Sequence, residues 1–190
     1  LQYTSGSTGN PKGVVLTHAN LLANIRAMGQ TVNAVSEDVF VSWLPLYHDM
    51  GLIGAWLGCL YFAPLLVIMS PLAFLTRPAR WLWAIHRHRA TLSAAPNFAY
   101  ELCSKKIADE ELHGLDLASL RVAFNGAETV SPDSITQFCE RFQRYGFRRE
   151  AMFPVYGLAE CSLGVSFPPL ERGPYIDVIA RDPFLRDGRA

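Results

Sequence analysis

Tyr3-Thr4-Ser5-Gly6-Ser7-Thr8-Gly9-Asn10-Pro11-Lys12-Gly13 packs hydroxyls, glycines and one lysine between two apolar runs, residues 1–3 and 14–16. Glycine lets backbone N–H groups approach an anion closely, the hydroxyls donate, and the lysine neutralises charge, a combination suited to polyphosphate oxygens. The loop differs from that of the P-loop nucleoside triphosphatases, where Gly and Lys are adjacent, Ser or Thr follows, and a helix begins. Here Pro11 precedes Lys12, Gly13 follows it, and Val14-Val15-Leu16-Thr17 reads as a strand. The stretch therefore predicts a strand–glycine loop–strand hairpin. A plain surface turn explains Gly, Ser and Thr, but not Pro-Lys-Gly leading straight into a β-branched run.

Beyond the hairpin, strand-like and helix-like segments alternate. Thr17 or His18 caps a helix with Leu21, Leu22, Ile25 and Met28 on one face. Residues 39–43 read as a strand, 50–61 as a helix and 65–69 as a second strand. Pro78 sits in the first turn of a helix bearing Trp81, Leu82 and Ile85. Residues 91–94 form a short strand, and Asn97 caps a helix running to 107. Residues 121–124 are a further strand, and Ser131-Pro132-Asp133 starts a helix with Ile135, Phe138, Cys139 and Phe142 spaced three and four apart. Residues 151–155 are a strand, and 163–167 and 175–180 are expected as closing strands. Repeated strand–helix–strand units predict an α/β fold: a mainly parallel sheet with helices on both faces, preceded by the glycine-rich hairpin.

Composition narrows the function classes. Of 190 residues, 50% are hydrophobic and 18% charged, and 17 basic residues balance 17 acidic ones for a formal net charge of zero. That excludes disorder and a nucleic-acid binder driven by phosphate attraction. The pairs Arg87/Arg89 and Arg148/Arg149 read as solvated helix ends. Four dispersed cysteines without a Cys-x-x-Cys pair give no disulfide framework or zinc site, and fit a cytoplasmic protein with reduced thiols. His86 and His88, two apart on a helix, point in different directions and make no metal pair. Glycines and Pro64 interrupt the apolar run 50–69, which reads as a buried helix and strand instead of a transmembrane segment. The absence of an initiator Met and an uncapped end at 187–190 suggest a piece of a longer protein.

In open α/β sheets, ligands bind beyond the carboxyl ends of the strands. Three polar segments fall there: Tyr47-His48-Asp49, Asn125-Gly126-Ala127-Glu128, and Tyr156-Gly157-Leu158-Ala159-Glu160. Each alone reads equally well as a loop with a structural glycine; their common placement beside the phosphate loop singles them out.

The loop and these three segments together resemble the adenylate-forming superfamily in order and spacing across nearly the whole chain. Residues 46–52, 70–78 and 96–102 are more similar to its fatty acyl-AMP ligases than to its CoA ligases. The resemblance implies that residues 1–190 are the central part of the AMP-binding N-terminal domain, with 1–17 as phosphate-loop hairpin, 18–190 as α/β subdomain, and the C-terminal domain absent. It assigns ATP to Thr4, Ser5, Gly6, Ser7, Thr8, Gly9 and Lys12 on the phosphate side. On the nucleoside side it assigns Asn125, Gly126, Ala127, Glu128, Tyr156 and Gly157, with Tyr156 stacking on the base. Glu160 holds Mg2+, His48 lies beside the carboxylate and α-phosphate, and Lys12, His48 and Glu160 form the catalytic set. Many relatives carry Thr where this chain has Ala159, so one phosphate contact is missing.

The implied activity is conversion of a fatty acid and ATP to acyl-AMP and pyrophosphate, with acyl transfer to an acyl carrier protein or, in the rival reading, to CoA. A non-catalytic nucleotide-binding or interaction module is the alternative of another class. The superfamily's C-terminal lysine and ribose-binding aspartate match nothing here, which predicts that the isolated piece neither turns over nor stays free of self-association. Leu52, Ile53 and Trp56 serve either as an acyl tunnel or as core, and the sequence leaves that choice open.

Overall fold

In the computed structural model, residues 1–4 and 10–188 are described; the expected phosphate contacts Ser5, Gly6, Ser7, Thr8 and Gly9 lie outside the described residues. Strands β1 (Gln2–Thr4) and β2 (Lys12–Val14) pair antiparallel, with Thr4 opposite Lys12. Five parallel strands build the main sheet: β3 (Val39–Ser42), β4 (Leu65–Ile68), β5 (Leu92–Pro96), β6 (Val122–Gly126) and β7 (Met152–Pro154). Their order across the sheet is β4-β3-β5-β6-β7. A short antiparallel ribbon of β8 (Tyr156–Gly157) and β9 (Gly164–Ser166) follows.

Successive strand residues face opposite sides of the sheet. Phe40, Leu92, Ala94 and Phe124 face a cavity walled by α1 (His18–Thr31) and the π-helix Met50–Leu57, which continues as α2 (Gly58–Phe62). The opposite face is covered by α4 (Ala79–His88), α5 (Asn97–Lys106) and α6 (Pro132–Gln143), with the short α3 (Pro71–Thr76) beside α4. Trp81 of α4 donates its indole N–H to Ser93 Oγ at 2.9 Å and meets the Tyr100 ring edge-on at 5.4 Å. Tyr100 in turn packs edge-on against Phe138 at 5.0 Å, giving this layer a continuous aromatic seam.

One ionic clasp ties the amino ends of the strands together. The Asp38 carboxylate accepts from Arg121 Nη2 at 2.5 Å and Nε at 2.9 Å, from Thr91 Oγ1 at 2.6 Å and from the Val35 amide at 3.1 Å. Arg121 also donates to the carbonyls of Val32 at 2.6 Å and Asn33 at 3.2 Å, and the Leu65 amide donates to the Asp38 carbonyl at 3.1 Å. The starts of β3, β4, β5 and β6 and the end of α1 thus meet at the Asp38–Arg121 pair. Burial pushes the Asp38 carboxyl up, but the hydrogen bonds from Arg121, Thr91 and Val35, with the Arg121 charge, outweigh it and hold it below its ordinary value.

The expected order of elements is present, with physically instructive differences. Thr17 does cap α1, in a reciprocal box with Asn20: the Asn20 amide donates to Thr17 Oγ1 at 3.1 Å and the Thr17 amide to Asn20 Oδ1 at 3.0 Å. Leu22 departs from the buried face and is exposed. Asn97 does not cap its own helix; its side-chain oxygen accepts from the Ser131 amide at 3.1 Å instead. The segment 175–180 forms no strand: Tyr175 and Val178 are exposed, and α7 (Arg181–Asp187) follows. β-branched residues there lack a neighbouring strand to pair with among the described residues, and local propensity alone does not make a ladder. No helix among the described residues is long and apolar enough to cross a membrane.

Candidate functional site

The polar segments singled out from the sequence follow β3, β6 and β7, and His48, Ala127, Tyr156 and Gly157 all line one cavity at those carboxyl ends. The cavity holds about 220 Å³ and runs from this polar mouth between α1 and the π-helix toward the amino ends of the strands. Apart from His48, Asp49 and Tyr156, its walls are apolar or glycine.

His48 sits in a tight turn in which its amide donates to the Pro45 carbonyl at 3.1 Å and its own carbonyl accepts from Gly51 at 3.0 Å and Leu52 at 2.8 Å. Gly51 is required there, because a Cβ would fall 2.3 Å from the Pro45 oxygen. His48 Nδ1 lies 2.9 Å from Asp49 Oδ1 and 3.2 Å from the Met50 amide nitrogen. The Met50 N–H has a shorter partner in Asp49 Oδ1 at 2.7 Å, so Nδ1 is best read as protonated and donating to Asp49. The hydrogen bond to Asp49 raises the imidazole pKa; partial burial opposes it, and the Asp49 charge adds to the rise.

Around β6 the four predicted residues divide. Asn125 is fully buried, its Nδ2 3.4 Å from Asn97 Oδ1 and its own Oδ1 without a partner among the described residues. Gly126 has no room for a side chain: a Cβ would lie 2.8 Å from Val155 Cγ2 and 2.9 Å from the Val155 oxygen. Ala127 follows in a left-handed conformation at φ 67° and faces the cavity mouth. Glu128 turns away to accept from the Phe98 amide at 2.6 Å, capping the start of α5.

Tyr156 is 60% exposed at the mouth, presenting an open aromatic face. Gly157 is sterically fixed, since a Cβ would fall 2.2 Å from the Leu163 oxygen. Glu160 is exposed on the 3-10 turn Ala159–Cys161, and β1 of the hairpin packs against that turn. Lys12 is exposed, forms no ion pair among the described residues, and stands across from Thr4, whose buried Oγ1 lacks a partner among them. Asn125, Gly126, Glu128, Glu160 and Lys12 are not among the cavity's lining residues.

None of Leu52, Ile53 and Trp56 lines the apolar bore: Ile53 is core at 2% exposure and Trp56 is 41% exposed. Instead Met50, Gly54 and Gly58, four apart and so on one side, face the bore. Sequence reasoning misses them because two are glycines, with no apolar side chain to mark a lining face. It also misses Asn24, whose amide grips β9 by donating to the Gly164 carbonyl at 2.8 Å and accepting from its N–H at 2.9 Å. Gly164 is a position where any Cβ would strike the Phe167 ring, at 2.4 Å.

Mg2+ is normally held by one or two carboxylates together with substrate phosphates, keeping several waters. Among the described residues no group of three His, Cys, Asp or Glu side chains forms a metal cage, whereas Glu160 offers a single accessible carboxylate beside the hairpin. That donor set fits a metal arriving with a phosphate-bearing substrate.

Comparison with known proteins gives a consistent set of likenesses. The profile of the AMP-binding enzyme family matches residues 1–180. The chain is 49% identical over 166 residues to the medium-chain-fatty-acid–[acyl-carrier-protein] ligase TtuA of Teredinibacter turnerae, covering 87% of this chain and 26% of that protein. It is 46% identical to the putative fatty-acid–CoA ligase FadD21 of Mycobacterium tuberculosis, over 87% of this chain and 30% of that protein. Among solved structures, the fatty acyl-adenylate ligase of Legionella pneumophila, in complex with acyl adenylate and pyrophosphate, superposes with a TM-score of 0.87 at 45% identity, over 90% of this chain and 30% of that one. The chain therefore spans between a quarter and a third of the length of these relatives.

Proposed function

Because this chain belongs to the AMP-binding enzyme family, we propose that it supplies the nucleotide- and acyl-binding part of a ligase that activates a fatty acid as acyl-AMP for transfer to an acyl carrier protein. One observation carries the reading: a cavity with a polar mouth at the strand ends continues into an apolar bore. A nucleotide belongs at the first, an alkyl chain in the second, and their junction lies at His48.

The reaction joins a carboxylate oxygen to the α-phosphorus of ATP while the bond from that phosphorus to the bridging oxygen breaks and pyrophosphate leaves. Attacker and target are both anionic, and their repulsion rises as water is excluded. His48, whose pKa the hydrogen bond to Asp49 raises, lies at the mouth of the bore, where its imidazolium form neutralises the acyl carboxylate. Tyr156 and the Gly126–Ala127 corner receive the adenine. Lys12, with Thr4 and the loop residues Ser5, Gly6, Ser7, Thr8 and Gly9, neutralises the departing pyrophosphate; one preorganised donor of this kind is worth roughly 3 kcal/mol in the transition state. Glu160 would hold Mg2+, which supplies Lewis-acid polarisation of phosphoryl oxygens. Asn125 and Glu128 act through packing and helix capping beneath this surface.

ATP as co-substrate and four free cysteines among the described residues favour a cytoplasmic setting. Leu65 and Ile68, exposed on β4, an edge strand of the sheet among the described residues, support self-association of residues 1–190 when isolated. A second acceptor, CoA, is favoured by the likeness to FadD21.

The test is fatty-acid-dependent exchange of pyrophosphate into ATP by the full-length protein, followed by presentation of holo-carrier protein and CoA side by side. Exchange with dodecanoate, loss of it in Lys12→Ala, and acylation of the carrier are expected. Absence of exchange with every fatty acid overturns the activity, and thioester formation on CoA alone overturns the acceptor.

A further inference from the structure

At the end of the bore away from His48, an aromatic ring lines its wall. At its deep end, near the amino ends of the strands, α2 finishes at Phe62, and Phe62 lines the cavity together with Pro64 and Ala34. The Phe62 ring reaches across to α1 and lies against Gly29: a Cβ built on Gly29 would fall 2.1 Å from Phe62 Cε2 and 2.2 Å from Cζ. Glycine, a poor helix residue, occupies this position in the last turn of α1, and the space it leaves is filled by the ring. The ring is latched from outside. Arg26 Nε, three residues earlier on α1, donates to Tyr61 Oη at 2.6 Å, and the Tyr61 ring packs edge-on against Phe62 at 4.9 Å. Midway along the bore, Gly54 and Gly58 keep the wall free of side chains; a Cβ on Gly58 would meet only the Ile53 oxygen, at 3.6 Å.

We propose that Phe62, seated on Gly29, is the end-stop that sets the longest acyl chain this ligase activates. The inference rests on the acyl-adenylating reading above and specifies its substrate: an unbranched chain whose methyl end abuts the Phe62 ring. A longer chain must displace a latched aromatic ring or leave its carboxylate short of His48. Discrimination of one methylene in an apolar pocket runs from about tenfold upward. The stop therefore shows as a sharp fall in rate past the preferred length and not as a gradual decline.

The experiment measures pyrophosphate exchange by the full-length protein with a series of straight-chain acids from octanoate to octadecanoate. In Phe62→Ala the preferred length moves to longer acids, with the rate ratio of the first rejected acid to the preferred acid rising at least about tenfold. Phe62→Leu, a smaller change that keeps the core apolar, gives an intermediate shift and covers the case in which the alanine variant folds poorly. Leu60→Ser, on the same helix but 67% exposed and outside the bore, leaves the profile where it was. Exchange by both Phe62 variants with the wild-type length profile overturns the end-stop while leaving the activity intact. Absence of exchange in the wild type with every acid removes the activity itself, and the end-stop with it.

Discussion

Replacing Glu128 with alanine separates the two roles this residue can have. Its carboxylate accepts from the Phe98 amide at 2.6 Å, at the start of a helix whose preceding residue, Pro96, provides no side-chain cap. Asn97, the residue with the right chemistry for capping, is committed to the Ser131 amide. Loss of a helix cap costs about 0.5–2 kcal/mol; for an exposed carboxylate we take about 1 kcal/mol, which corresponds to roughly fivefold in an opening equilibrium. Amide hydrogen exchange in the first turns of α5 is the direct assay, since it reports local opening whatever the size of the surrounding protein. Glu128→Ala should speed exchange about fivefold there, with a rise in the KM for ATP because the Ala127 corner loosens. Glu128→Gln keeps an acceptor oxygen and should recover most of the protection. A glutamine variant that loses ATP affinity while α5 stays protected would refute the capping role and make Glu128 a direct nucleotide contact.

Asp49→Asn removes the partner that raises the His48 pKa. With the pair intact, the imidazolium and the stability it lends are complete below the ordinary histidine value and decline as pH rises through the raised one. The alkaline fall in adenylation rate should therefore move to lower pH in the variant, and an unmoved profile would exclude His48 as the titrating group. At the clasp, Asp38→Asn should destabilise the fold by about 3 kcal/mol, since it leaves a partly buried Arg121 without its counter-charge. Because the folded Asp38 pKa is depressed, its contribution is present above about pH 4 and lost as pH falls through the lower folded value. Denaturant titrations of the variant should accordingly show a weaker acid dependence than wild type. Burial pushes the Cys59 thiol up to about 12 and Cys139 to about 11, and Cys103 higher still. Iodoacetamide at about pH 8 should then label only the exposed Cys161 in the native protein, as read by peptide mass mapping.

The sequence is most legible where chemistry and geometry are local. Thr17 with Asn20, and Ser131-Pro132, mark helix starts because their hydrogen bonds close within three residues. The parallel sheet follows from strand–helix alternation, and the mouth of the site from polar segments at strand ends. What stays hidden depends on partners far along the chain. Nothing near Asp38 in sequence announces Arg121, 83 residues away. The bore is concealed because two of the residues that face it from the turn after His48, Gly54 and Gly58, have no side chain, and sequence reading looks for apolar side chains such as Leu52, Ile53 and Trp56. Glu128 illustrates a further limit: a carboxylate within a nucleotide-site motif is, by its hydrogen bond, a helix cap.

The Asp38–Arg121 clasp fastens the sheet at the end opposite to its chemistry. The loops proposed to touch ligand hang from strands whose roots are already anchored, so rewriting their exposed positions draws little on the foundations. Substitutions at the exposed mouth positions 46 and 47, which spare His48, Asp49 and Glu128, can thus retune what is bound while the domain still folds, whereas the same freedom at 38, 91 or 121 would topple it. A library built to redirect this scaffold toward new acids should diversify the first group and freeze the second.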